Sequence, residues 1–508
     1  MKRLLEQGTL WGLAVILGAL GVGYAFTGGA GGVASDDGWE LGKIQFAVQH
    51  PELLGRVWND QPWLHTLINA TLCRWLGEGP WVPRGFTVVS VAAMWVALAW
   101  MGGGRLGWLG MVAAGLLWAG CRSALNVGFA AMLEGPALAW AVVAAALLAQ
   151  AAESRPWLWV AASGAVMAAA LHLKLTAAVI APGLALLGWR LFGWRGSLRL
   201  APIWLMGWAV TFAALAWISP SFRWEWLLGS HWAARSGALA DPTFDPGPVP
   251  LLGTVSPTLL VGGVFGLMAV VRTGLPPVGV FAVGAWLGAL LFKAVAYPWW
   301  PYYEFHFAVP LAVLGGLAVA SAAQSLRAWW GGTTRAGMAS HPKGLSSEAS
   351  TMQPWAGVIV LSTLAALWVG FGTSALHGFW ANVVIQGNRL NAVFSPHLQE
   401  TAGKARWCYA GPHYYPELAH ARILPPPELL ILPRKRFWSG QITWSKVTEY
   451  LDAYEVEWLI LEESVELAQP VFVAWLTNRY EEVTSRRSAQ LWRRKVPAMV
   501  PAPSADDG

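Results

Sequence analysis

A succession of apolar runs constrains this chain more than any other feature. They fall near residues 10–26, 86–101, 106–121, 133–150, 157–171, 175–189, 201–218, 251–271, 276–292, 305–323 and 355–375. A straight membrane span needs roughly 20 apolar residues, and several runs are shorter, so buried or broken helices belong among them. The composition agrees with lipid as solvent. Of 508 residues, 56% are apolar and 12% charged, against about 25% charged in an ordinary globular domain. Many of the 35 tryptophans stand at run ends (Trp11, Trp108, Trp157, Trp217, Trp299, Trp300), where amphipathic rings settle at a bilayer interface. The expectation is a polytopic α-helical membrane protein with about eleven transmembrane helices.

The N-terminus carries Lys2 and Arg3 and is expected in the cytoplasm. Alternate threading then brings Arg105, Arg155, Arg190, Arg195, Arg199, Arg272, Arg327, Arg335 and Lys343 to the inner side, as the positive-inside rule requires. The first run followed by Gly-Val-Ala (32–34) also resembles a signal peptide, but it is long for one, and either way Ser35 onward lies outside. The net charge of +6 follows from the same loop bias, and no nucleic-acid partner is expected. Cys73, Cys121 and Cys408 are scattered, with neither metal spacing nor a disulfide framework.

The threading sorts the rest. Residues 1–376 form the membrane domain, with outer segments at 35–84 and 219–250 and a Gly/Ser-rich cytoplasmic loop at 324–354. Residues 377–508 form a small extracytoplasmic α/β domain. Strands are expected at 408–411, 428–432 and 457–461, helices from Trp444 to Tyr454 and from Pro470, and a terminal hairpin ending in QLWRRK.

Charges that escape the inner side collect at the outer rim. Asp36 and Asp37 follow the first run directly; an acid there acts as a general base, binds a divalent cation or caps a helix. A cap accounts for one of the two and leaves the other over. Asp60, Gln61 and His65 open a second surface helix, which also suits a merely solvated helix end. Glu134 has a structural reason of its own in the first turn of a helix entered near Pro136. Lys174 interrupts about thirty apolar residues beside His172, either snorkelling or binding an anion. Lys293 precedes YPWWPYYEFH, with Tyr302, Tyr303 and His306; those rings equally suit an interface belt.

Acids facing cations at one membrane rim suit a polyprenyl-phosphate sugar. The leaving phosphate needs a positioned Lys or Arg, and the acceptor hydroxyl needs a carboxylate to take its proton. In order and topology the motifs resemble the GT-C membrane glycosyltransferases, the class of protein O-mannosyltransferases and lipid A aminoarabinose transferases. The matching features are Asp36-Asp37, Gln61-Pro-Trp-Leu-His-Thr, Arg122 followed by Glu134-x-Pro136, Leu-Lys174-Leu-Thr, and Tyr302-Tyr303 ahead of Pro310. Asp stands where the class often has Glu, Trp63 replaces a proline, and Gly does not follow Lys174.

The resemblance implies an inverting transfer from a polyprenyl-phosphate sugar to a hydroxyl on a lipid, glycan or protein, in a bacterial inner membrane. It implies catalytic roles for Asp36, Asp37 and Glu134, with base and partner exchangeable between the two aspartates. Arg122, Lys174 and Lys293 would hold the donor phosphate, and Asp60, His65, His172, Tyr302, Tyr303 and His306 would line the substrate site. Metal use is open; a divalent cation, Mg or Mn, would sit on Asp36 and Asp37. Two other classes compete: a transporter or lipid flippase, which expects charges at the bilayer midplane and an inverted repeat, and a non-catalytic envelope assembly protein, in which the rim acids are dispensable.

Overall fold

The computed structural model describes residues 9–27, 35–241, 255–296, 299–335, 353–389, 394, 396–398, 406–462, 466–486 and 489–495. The helices in chain order begin with α1 (Thr9–Thr27), α2 (Ser35–Gln49), α3 (Leu64–Leu76), α4 (Trp81–Ala119), α5 (Arg122–Phe129) and α6 (Glu134–Ala151). There follow α7 (Pro156–Leu173), α8 (Ala181–Ile218), α9 (Ser230–Ala240), α10 (Pro257–Arg272), α11 (Pro277–Val295) and α12 (Phe305–Arg335). Then come α13 (Pro354–Leu367), α14 (Thr373–Arg389), α15 (Tyr415–Ala421), α16 (Arg434–Trp438), α17 (Trp444–Ala453) and α18 (Pro470–Arg479). The parts of the apolar runs that lie among the described residues are helical. Among the described residues 7 helices are long and apolar enough to cross a membrane, or 8 counting one bent pair (Arg105–Ala119 with Ser123–Phe129); α1 and α10 contain shorter apolar helices. This is a multi-pass membrane protein.

Two pairs of expected spans are each joined with little or no linker. In α4 the backbone turns at Gly103 (φ 44°) and Gly107 (φ 57°), left-handed values that a residue with a Cβ reaches only under strain. The Tyr24 hydroxyl donates to the Trp81 carbonyl at 2.7 Å, while Trp108 and Met111 pack on Gly12, so the chain leaves one end of α1 and reaches the other between them. In α8 the same device is Gly193 (φ 66°), between the 175–189 and 201–218 runs.

Helix contacts use small residues, as packing in lipid favours. A Cβ on Gly164 of α7 would stand 2.1 Å from the Trp204 carbonyl oxygen of α8, and one on Gly207 2.3 Å from that of Ala161. Only glycine allows these two helices to lie so close. Trp11, Trp108, Trp157 and Trp217 are exposed, as a belt requires; Trp299 and Trp300 are half-buried instead.

The C-terminal part carries one four-stranded sheet of order β1-β2-β4-β3: β1 (Cys408–Ala410), β2 (Trp458–Glu462), β3 (Tyr480–Arg486) and β4 (Ala489–Arg494). β1 and β2 are parallel; the other pairs are antiparallel. The expected helices and terminal hairpin are present. The strand expected at 428–432 is not: prolines at 425–427 and at 433 confine it, and its carbonyls are taken by side chains. The Tyr415 hydroxyl donates to Leu430, and the Arg436 guanidinium to Glu428 (2.6 Å) and Ile431 (3.0 Å).

This unit shares its core with the segment that follows α1. Phe46 of α2 stacks on Trp407 at 6.4 Å, and Trp58 and Trp63 join the same cluster as Leu430 and Leu459. Polar ties run alongside. The Arg56 guanidinium donates to Glu428 at 2.8 Å, and the Trp58 indole to Gln441 at 2.6 Å.

Candidate functional site

A cavity of about 740 Å³ lies where the helix ends meet the C-terminal unit. Its membrane wall includes Asp36, Glu40, Lys43, Asp60, Gln61, Glu134, Lys174, Trp300, Tyr302 and Tyr303. Its other wall includes Tyr409, Gly411, His413, Arg434, Lys435, Glu462 and Glu466. Asp36 and Lys174, far apart in sequence, therefore open onto one space.

Local structure explains each placement. Asp36 and Asp37 lie in the first turn of α2, where helix polarity favours an anion. Successive helical residues point about 100° apart, so the two carboxylates diverge. Asp37 is fully buried, accepting from Arg84 at 2.7 Å and from the Ala131 amide at 2.6 Å. Asp36 lines the cavity together with Tyr302. Burial pushes its carboxyl above the ordinary range; Lys174 and Lys435 act against this, and Glu134 adds to it.

Lys174 is the extended residue (φ −158°, ψ 134°) between α7 and the short 3-10 helix Leu175–Ile180, at the polar break expected from the sequence. Its ammonium pairs with Glu134, the first residue of α6, and stands 5.4 Å from the Tyr302 ring centre. Both partners are buried. A single cation thus bridges the acid at a helix N-terminus and the aromatic turn Pro301–Glu304.

Asp60 is clamped across the two walls. Its carboxylate pairs with Lys435 of α16 and stands 3.3 Å from His231 of α9. Burial alone would raise the Asp60 carboxyl, but Lys435 and His231 outweigh it and hold it well below the usual carboxylate range. Glu40 pairs with Lys43 at 2.6 Å and stands 3.5 Å from His65. Burial opposes, yet Lys43 and His65 keep its carboxyl below the ordinary range.

Other expected residues stand apart from the cavity. His65 is fully buried behind Glu40. His172 meets the Phe212 carbonyl at 3.1 Å and packs between Phe212 and Phe222. His306 is buried with Nδ1 3.1 Å from the Tyr303 carbonyl, and Lys293 lies 4.4 Å over the Trp299 ring. The side chain of Arg122 lies outside the described residues.

The sequence reading missed Glu40 and Lys43, whose i,i+3 spacing was a weak signal. It also missed the whole C-terminal wall, where the basic run Arg434-Lys435-Arg436 was the available sign. Among the described residues no group of three or more His, Cys, Asp or Glu is arranged to hold a metal. Asp37 spends both oxygens on Arg84 and Ala131, so the Asp36-Asp37 pair does not fit a shared cation.

No protein-family model matches this chain, and no curated protein sequence matches it. Solved structures do. The arabinosyltransferase EmbB from Mycobacterium smegmatis aligns at TM-score 0.45 and 15% identity, over 74% of this chain and 40% of that one. ArnT from Cupriavidus metallidurans in the apo state aligns at TM-score 0.60 and 15% identity, over 95% of this chain and 97% of that one. The same enzyme bound to undecaprenyl phosphate gives the same score and identity, over 95% and 98%. At this identity the likeness shows the fold alone: over nearly its full length this chain folds as ArnT does.

Proposed function

We propose that this chain is an integral membrane glycosyltransferase that moves a sugar from a polyprenyl-phosphate donor to a hydroxyl, or a similar group, on a lipid, glycan or protein. The observation that carries the reading is the single cavity shared by Asp36 and the Lys174–Glu134 pair at the helix ends. The likeness to an enzyme solved with undecaprenyl phosphate supports the donor class.

In this reading Asp36 accepts the proton of the acceptor hydroxyl as its oxygen attacks the anomeric carbon. The bond from that carbon to the phosphate oxygen breaks, its electron pair leaves on the phosphate, and the centre inverts. A base of raised proton affinity suits this task near neutral pH. Lys174 neutralises the phosphate as its charge grows, and Glu134 keeps the ammonium oriented. Asp37 holds the start of α2 in place through Arg84. Tyr302 and Tyr303 line the space beside Asp36 and Lys174. The cavity end would face away from the cytoplasm of a bacterial inner membrane, with the N-terminus inside and the C-terminal unit outside.

The test is transfer in detergent or vesicles from a panel of polyprenyl-phosphate sugars to membrane acceptors. Asp36→Asn is expected to lower kcat by about 100-fold or more, and Lys174→Met to lower kcat/KM for every donor. Full activity in both variants overturns the assignment.

A further inference from the structure

The cavity wall holds an imbalance that the proton and phosphate chemistry leaves unused. Four lining side chains keep a buried oxygen without a hydrogen-bond partner among the described residues: Glu40 Oε2, Gln61 Oε1, Asn126 Oδ1 and Glu462 Oε1. All four are acceptors. No lining side chain among the described residues has a buried donor in the same condition. A buried acceptor left unmade is costly, so the wall is suited to a ligand that arrives with hydrogen-bond donors.

Gln61 is the most firmly built of the four. It is 8% exposed. Its Nε2 donates to Asp60 Oδ2 at 3.3 Å, and its backbone amide to Asn59 Oδ1 at 3.3 Å. The Nε2 bond fixes which end of the amide is which, leaving Oε1 as the buried atom without a partner among the described residues. Asp60 is itself clamped by Lys435 and His231. The following residue is Pro62, which restricts the Gln61 backbone to extended conformations. An acceptor held this way costs little to order when a ligand donates to it.

We infer that Gln61 is a specificity-determining residue: its Oε1 accepts a hydrogen bond from one hydroxyl of the ligand in the cavity, and the site selects for that hydroxyl. The inference rests on the glycosyl-transfer reading and goes beyond it, because it assigns a role outside proton transfer and phosphate binding. The hydroxyl belongs either to the transferred sugar or to the acceptor; both bring the same chemistry. A site built to bond a hydroxyl rejects the analogue lacking it, because its own polar group is then stranded.

The experiment compares parent substrates with singly deoxygenated analogues, in one arm on the sugar donor and in the other on the acceptor. Wild type and Gln61→Met, a side chain of similar length without the acceptor, are assayed in parallel. Wild type is expected to disfavour one deoxy analogue by about 10- to 100-fold in kcat/KM. Gln61→Met is expected to lose that factor on the parent and nothing on the matched analogue, so the discrimination collapses. The arm in which it collapses names the source of the hydroxyl. Equal loss on parent and analogue, the pattern of a structural role, overturns the inference. So does a wild type that accepts every deoxy analogue equally, a result that needs no variant to fold. Wild type transferring no sugar overturns both this inference and the function on which it rests.

Discussion

Asp37 has no exposure and two partners, the Arg84 guanidinium and the Ala131 amide, so removing its charge takes the buried carboxylate away from Arg84. Breaking one side of such a pair costs about 3–5 kcal/mol. Asp37→Asn and Arg84→Met are each expected to lower the unfolding temperature sharply, and the double variant to recover much of the loss. Asp36→Asn behaves oppositely. It relieves a carboxylate that burial disfavours, so stability holds or rises while transfer falls. Differential scanning fluorimetry beside the transfer assay separates the two; an Asp37→Asn that melts normally yet abolishes transfer would sink this division of roles. The acidic pair was legible in the sequence because charge at a membrane rim is conspicuous. Which member faces the cavity was not legible. It depends on how α2 docks and on Arg84, a residue the sequence offers no reason to pair with Asp37.

At the scale of elements, β1 and β2 run parallel and both end at the cavity, where Tyr409 and Glu466 form a buried pair. The Tyr409 hydroxyl donates to Glu466 at 2.9 Å, and the Glu462 amide at 3.0 Å. Burial pushes the Glu466 carboxyl up to about 7, against those hydrogen bonds. Its folded state therefore binds the proton more tightly than the unfolded chain. The stability this supplies is complete below the unfolded value of 4.5 and is lost as pH rises toward 7. The stability of wild type is expected to fall between pH 5 and 7 relative to Glu466→Gln, by on the order of 3 kcal/mol at most, and its unfolding temperature with it. Parallel curves for the two proteins would show that Glu466 titrates elsewhere. The strand β2 was legible from its apolar run. The segment 428–432 has a run just as apolar and is no strand, because its outcome was decided by flanking prolines and by Arg436 and Tyr415. Apolarity reports burial; ladder pairing needs free backbone groups. The turns at Gly103 and Gly193 were likewise readable only as gaps between runs, without their left-handed backbone.

Over the whole molecule, the candidate cavity is enclosed between the C-terminal unit and the helix ends. Its apolar seam is the stack of Phe46 on Trp407 and the burial of Trp58 and Trp63. The polar fastening nearest the cavity is Lys435 on Asp60. Asp60 is 5% exposed, so without Lys435 its carboxylate keeps His231 and the neutral Gln61 amide but no lysine. Lys435→Met is expected to loosen the seam, raising hydrogen exchange in residues 56–63 and 428–441 while the membrane helices remain protected. Transfer should fall with it, since one wall of the cavity is no longer held. The pH dependence carries the sign. Because Asp60 is held below its usual range in the folded state, its stabilisation is present above the unfolded carboxylate value and disappears as pH falls through the folded one. The stability gap between wild type and Lys435→Met should therefore be widest near neutrality and close in acid. Asp60→Asn added to Lys435→Met removes the stranded charge, and is expected to restore stability without restoring transfer. Exchange and rate both unchanged in Lys435→Met would mean that the apolar seam alone holds the wall, and that the charge pair serves the ligand instead.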